Sequence, residues 1–183
     1  MLRAIVAQAQ QGDEEAFGAL VREVGDRCIF IAHRILRDAN LAEDAVQVAL
    51  VQVWRELPAL RDLDRFDAWT YRVVVNACAD AGRQRRRFSA EVRLLEPPAT
   101  AADASAEAAD RDQLERGFRH LRPEQRAARV LHYYVGLPAR EVADVLGVPV
   151  GTAKSRIHYG TEIMRAALDR DDRPVLKHRP GSA

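Results

Sequence analysis

Residues 138–160 read Pro-Ala-Arg-Glu-Val-Ala-Asp-Val-Leu-Gly-Val-Pro-Val-Gly-Thr-Ala-Lys-Ser-Arg-Ile-His-Tyr-Gly and carry the spacing of a helix-turn-helix. Ala143 is small where two helices must cross closely, and Gly147 can take the left-handed turn between them. Val148 is placed to plug that turn into an interior shared by Val142, Leu146 and Ile157. The polar residues left over lie along the start of the second helix. There Thr152, Lys154, Ser155, Arg156 and His158 put hydrogen-bond donors where a recognition helix meets base edges and phosphates. The competing reading is a plain helical hairpin whose Lys154 and Arg156 are a solvated face. The ordered set of small residue, turn glycine, apolar plug and basic second helix favours DNA binding.

Punctuation around this segment is clear. Pro123 stands at a helix start and Gly136 at its end, Pro138 opens the next helix, Gly147 closes it, and a last helix reaches about Leu168. Gly160 costs that helix about 1 kcal/mol relative to Ala, so a bend or weak point is expected there. Upstream, the stretch from Glu96 to Asp110 holds Pro97-Pro98 followed by Ala, Ser, Thr and acids, with no large apolar and no basic residue. It reads as a linker. It divides a domain at 1–95 from one at 111–170, and the charged tail at 171–183 is expected to fray.

The first half repeats the helical pattern. Asp13 can cap a helix from Glu14, and Phe17, Leu20, Val21, Val24, Cys28, Ile31 and Ile35 continue one apolar face through 13–37, as two helices or one long bent one. Asn40 followed by Glu43 resembles a capping box and predicts a helix over about 41–57, ended at Pro58. Asp62 or Asp64 can cap the next, whose face is Phe66, Trp69, Val73, Val74 and Ala77 and which runs on to Arg87. No run alternates with period two. The predicted fold is therefore all-α: two small helical domains joined by a flexible linker, the second containing the helix-turn-helix.

Composition narrows the function classes. The chain has 183 residues, 48% hydrophobic and 30% charged, with a formal net charge of +1. That supports folded cores rather than disorder. No stretch approaches the roughly 20 apolar residues that span a bilayer, and no signal-peptide pattern develops, so the cytoplasm is the expected compartment. Cys28 and Cys78 lie inside apolar helical patterns and read as buried hydrophobes rather than a disulfide or metal site. His33, His120, His132, His158 and His178 form no metal-spacing motif, and there is no Gly-rich phosphate loop. Neither catalysis nor a cofactor is expected.

Near the end of the first-half helix, Arg83, Arg85, Arg86 and Arg87 put four arginines into five positions. Such a cluster can neutralise phosphates, although a solvated helix C-terminus favours cations too. Trp69 and Tyr71 upstream can stack on exposed bases or belong to the core, and Trp69 is expected to be mostly core.

Taken together, the layout resembles a bacterial RNA polymerase sigma factor of the extracytoplasmic-function group, in the sigma-70 family, across about residues 8–168. The strings that carry the resemblance are Gly12-Asp13-Glu14-Glu15-Ala16-Phe17; Leu41-Ala42-Glu43-Asp44-Ala45-Val46-Gln47 leading to Trp54-Arg55; Phe66-Asp67-Ala68-Trp69-Thr70-Tyr71-Arg72 leading to Asn76 and Asp80; Leu121-Arg122-Pro123-Glu124-Gln125-Arg126; and Gly151-Thr152-Ala153-Lys154-Ser155-Arg156. The resemblance implies that the helix at 41–57 docks on the clamp coiled coil of core RNA polymerase through Asp44, Gln47 and Arg55. It implies that Asn76, Asp80, Arg83, Arg85, Arg86 and Arg87 meet the minus-ten promoter element where strands separate, and that the helix-turn-helix reads the minus-thirty-five element. Core polymerase, promoter DNA and an anti-sigma factor are the implied partners.

Three departures from the family pattern stand out: Pro149 where a Ser-type cap is usual, Val48 where an acid is expected, and Tyr159-Gly160-Thr161 where a more basic stretch follows the recognition motif. A helix-turn-helix regulator that never joins polymerase is the reading from another class, and it leaves the arginine-rich helix end unexplained. The linker generates the first prediction. Limited proteolysis of the free chain should cut between Glu96 and Asp110 before anywhere else; protection there with cutting elsewhere would mean that this segment is docked.

Overall fold

A computed structural model describes residues 2–93 and 117–171, and among them every regular element is a helix. The expected linker and tail, 96–110 and 171–183, lie almost wholly outside the described residues.

The first half is four helices. α1, Leu2–Gln10, precedes α2, Glu14–Leu36, which starts where predicted because the Asp13 carboxylate accepts the Ala16 N–H at 2.9 Å. α2 is one continuous helix rather than two. Arg37 ends it in the left-handed conformation (φ 57°), and Asp38 at once caps α3, Ala39–Glu56, by accepting the Leu41 N–H at 3.0 Å. The cap is thus Asp38 rather than Asn40. The turn between α2 and α3 is shorter than the sequence suggested because a non-glycine residue takes the αL position. A 3₁₀ turn at Leu57–Ala59, with Pro58 inside it, and a second at Leu63–Arg65, capped by Asp62, lead into α4, Phe66–Arg93. α1 had no clear signal beyond its apolar spacing. It is held from outside, where the Gln10 side-chain amide donates to the Leu57 and Leu60 carbonyls at 2.9 and 2.7 Å.

The apolar stripes meet as their periodicity demands. Leu20, Val24, Cys28 and Ile31 of α2, Val46, Ala49 and Val53 of α3 and Phe66, Tyr71, Val74 and Cys78 of α4 are all buried in one interior. Burial pushes both thiols, Cys28 and Cys78, up to about 12, which leaves them protonated and unreactive at neutral pH. Tyr71 is core, its hydroxyl accepting from Arg27 at 2.8 Å, and Trp69 is half-buried, 6.2 Å from the Phe66 ring.

In the second half, described residues 117–119 are helical and precede three further helices. α5, Pro123–Arg129, begins with proline at its first position, and the Gln125 side chain accepts the Arg122 N–H at 3.0 Å. It runs into a π-helical turn, Val130–Tyr134, which Gly136 closes at φ 83°. α6, Ala139–Leu146, and α7, Val150–Asp171, form the helix-turn-helix, with Gly147 left-handed at φ 62°. Val142, Ala143, Val145 and Ile157 are buried there, whereas Leu146 and Val148 are only partly so.

The halves touch. α4 lies against α6, and α2 against α5 and the π turn. The Phe30 and Tyr134 rings sit 4.8 Å apart, and the Arg34 guanidinium lies 5.3, 5.6 and 5.9 Å from the rings of Phe30, Tyr134 and Phe118. Arg65 reaches Asp144 across the same seam at 3.3 Å.

Gly160 does not interrupt α7, which stays helical through it. It is buried where the Arg129 side chain crosses the helix, and a Cβ there would meet Arg129 Cδ at 2.8 Å and Cγ at 3.2 Å. Arg129 cannot easily yield, since it stacks 4.7 Å over Tyr133 and donates to the Thr161 hydroxyl. Gly160→Ala should therefore lower the melting temperature, the overpacking cost of about 1–3 kcal/mol exceeding the gain in helix propensity of about 1 kcal/mol. Adding Arg129→Ala should reverse the sign of the Gly160→Ala effect in a double-mutant cycle.

Candidate nucleic-acid and polymerase interfaces

Along α4, residues Arg72, Asn76, Asp80, Arg83 and Arg87 follow one another at spacings of three or four and are all exposed. At 1.5 Å per residue they form a strip about 22 Å long. Asn76 and Asp80 offer amide and carboxylate groups in its middle, and Arg83 is ion-paired to Asp80 one turn away. The strip is what the core leaves over: Val73, Val74, Ala77 and Cys78 on the same helix are buried.

The four clustered arginines take different partners. Arg83 and Arg87 belong to the strip. Arg85 turns to the other side, where it donates to the Asp38 carboxylate at 2.7 Å and so ties the end of α4 to the cap of α3. Arg86 opens onto a cavity at the seam, which Arg83 and Arg85 also line. A helix turns 100° per residue, so consecutive arginines must diverge. Arg72, by contrast, joins the strip although the sequence reading gave it no separate role; extending the 76-80-83-87 spacing one step back would have found it.

The recognition segment also divides. Lys154 and His158, one turn apart on α7, are exposed together, and Tyr159 beside them is 59% exposed. Thr152 and Ser155 are half-buried, and the Ser155 hydroxyl donates to the Thr152 carbonyl at 3.0 Å. Arg156 stands on another face, half-buried, and lines the same seam cavity as Asn76 and Arg86. Pro149 supplies the opening of α7 through its carbonyl, which accepts the Thr152 and Ala153 N–H groups at 2.9 and 3.1 Å. No side-chain cap is needed for that.

On α3, Asp44, Gln47 and Arg55 are exposed along one face, as its buried stripe requires. Between them stand Val48, 63% exposed, and Val51, 50% exposed. With Gln52 and Glu56 they border a shallow groove. Adjacent exposed valines in a polar frame are the composition of a contact surface. Val48 is thus an apolar element in the surface where the family pattern has an acid.

Known proteins match both halves. The family model for sigma-70 region 2 covers residues 20–88, and that for sigma-70 region 4 covers residues 111–160. The ECF RNA polymerase sigma factor SigW of Bacillus subtilis is 26% identical over 92% of this chain and 97% of its own length. The RNA polymerase sigma-E factor of Streptomyces avermitilis is 30% identical over 88% of this chain and 89% of its own. Among solved structures, the sigma factor RpoE of Bartonella quintana, in a complex with the anti-sigma factor NepR, superposes with a TM-score of 0.70. It covers 86% of this chain and 98% of that one at 22% identity, a likeness of fold.

The split among the arginines is testable by salt dependence. Arg83→Ala or Arg87→Ala should each lower the slope of log affinity against log salt for a forked promoter DNA by about 0.7–0.9, the value of one phosphate contact. Arg85→Ala should leave that slope unchanged and act instead on stability, by no more than about 1 kcal/mol for an exposed pair. Equal slopes for Arg83→Ala and the unmodified chain would remove the strip as a phosphate contact.

Proposed function

This chain belongs to the extracytoplasmic-function group of the sigma-70 family, and from that premise we propose how it divides the work of transcription initiation. As a sigma factor it binds core RNA polymerase and directs it to specific promoters. The exposed face of α3, from Asp44 through Val48 and Val51 to Arg55, docks on the polymerase. The α4 strip from Arg72 to Arg87 meets the minus-ten element as it opens. The outer face of α7, Lys154 and His158, reads the minus-thirty-five element, with Thr152 and Ser155 shaping its approach.

The observation that carries this reading is the pairing, in one chain, of two exposed polar helix faces with an exposed apolar pair on α3. A regulator that only binds duplex DNA has use for the helix-turn-helix but not for the others. Valine side chains at 63% and 50% exposure, side by side, give that face apolar area that a partner can bury. The chemistry is binding and positioning, with no group assigned to catalysis. The place of work is wherever core polymerase acts, the cytoplasm, and among the described residues no helix is long and apolar enough to cross a membrane. Regulation by an anti-sigma factor fits the same surfaces, since whatever covers α3 or α7 blocks the factor.

Run-off transcription with core polymerase and genomic fragments tests the whole, and core binding without DNA tests the α3 face. Asp44→Arg with Arg55→Ala, or Val48→Asp with Val51→Asp, should weaken core binding at least tenfold while leaving the helical signal intact; burial of a valine is worth about 1.5 kcal/mol or more. Lys154→Ala should weaken upstream-element binding by about 1–3 kcal/mol if it contacts a base, and by less, for all sequences alike, if it contacts phosphate. Full affinity for core polymerase in both α3 double variants would sink the assignment of that face.

A further inference from the structure

At the seam between the halves lies a half-enclosed cavity of about 370 Å³. Its volume falls within the range of small-molecule sites, roughly 300–1,000 Å³. Leu36, Val75 and Ala79 from the first half and Leu146 and Val148 from the second give it an apolar floor. Five arginines open onto it, against one carboxylate, Glu124. Arg83 and Arg85 already face Asp80 and Asp38, and Arg126 has company of its own, so Arg86 from the first half and Arg156 from the second give the mouth its positive character.

An apolar floor under a guanidinium rim is matched by one kind of molecule. The tail must be apolar to displace water from the floor, and the head must be an anion to meet the planar donor forks of arginine. At roughly 30 Å³ per water-sized group, the cavity holds about a dozen heavy atoms. That suits a single medium-length chain with a carboxylate or phosphate head. We propose that the seam cavity is a binding site for a single-chain amphiphilic organic anion, and that its occupation excludes promoter DNA.

The exclusion rests on the functional reading above and on geometry. Asn76, Arg83, Arg86 and Arg156 line one cavity here, yet the two promoter elements that those helices would read are about 25 base pairs apart. At 3.4 Å per base pair that is a separation of about 85 Å along the duplex. The halves must come apart to engage both elements. A molecule gripped by both walls binds only the closed arrangement, so by linkage each fold-change it makes in DNA affinity is returned in its own affinity.

Calorimetric titration of the full chain with sodium decanoate, well below its micellar range, tests the site without polymerase or promoter. Decanoate should saturate one site, whereas acetate, which lacks the tail, and decyltrimethylammonium, which inverts the head charge, should not. Arg86→Ala with Arg156→Ala should weaken decanoate binding at least tenfold, and Ala79→Phe, which fills the floor, should abolish it. Arg86 is exposed, so Arg86→Ala alone serves as a variant that folds. Equal binding of decanoate and decyltrimethylammonium, or no loss in these variants, overturns the proposal. So does a chain that accepts decanoate only after cleavage between residues 96 and 110, since the cavity would then belong to its own acidic segment. Saturating decanoate should weaken binding of a promoter duplex at least tenfold, and unchanged DNA affinity overturns the exclusion. A chain that bound decanoate but not core polymerase would refute the sigma reading and leave the site standing.

Discussion

The burial of one face of α4 is the constraint from which the other surfaces follow. Phe66, Tyr71, Val74 and Cys78 are sealed against α2 and α3, which fixes the rotation of the helix about its axis. Once that rotation is set, residues 72, 76, 80, 83 and 87 must face outward, and Arg85 must face back toward the N-terminus of α3. The same packing turns α3 so that Ala42, Ala45, Val46, Ala49 and Val53 are inside and Asp44, Val48, Val51 and Arg55 are outside. The faces proposed for polymerase and for promoter are thus two remainders of one core. A cavity in that core would cost about 2–5 kcal/mol and loosen both together.

The connections keep these remainders in register. Asp38 has two tasks: its carboxylate caps α3 through one oxygen and accepts from Arg85 of α4 through the other. Gln10 of α1 does similar work at the opposite end by satisfying two carbonyls of the turn between α3 and α4. Each connection joins elements more than forty residues apart with a side chain that local sequence gives no reason to notice.

In the second half, a close approach replaces a cap as the organising device. Gly160 lets Arg129 lie across α7, and Arg129 in turn stacks on Tyr133, an exposed residue of the π turn. Helix propensity read from the sequence treats Gly160 as a weak point. The tertiary contact makes it the residue that admits an arginine side chain between helices. The arginines at 83–87 carry a similar lesson. They look like one basic cluster along the chain, but Arg83 pairs with Asp80 on its own helix, Arg85 with Asp38 of α3, and Arg86 joins both at the seam cavity.

Periodicity determined that the chain is helical, and punctuation by Asp13, Pro58, Pro123, Pro138 and Gly147 located the breaks between helices, because caps and breakers act within a few residues. The ordered motifs determined the family, and the outward faces of α3 and α7 followed from the buried stripes. The α2–α3 turn escaped because Arg37 takes a conformation that glycine or asparagine usually takes, and α1 escaped because its partners lie far away in sequence. Which arginine stays on the outer strip of α4 and which braces a neighbouring helix was decided only in three dimensions. So was the seam, where Arg34 meets Phe30, Tyr134 and Phe118 and where Arg86 and Arg156 line one cavity. A sequence pattern records which face of a helix is apolar, but not which other face it will find.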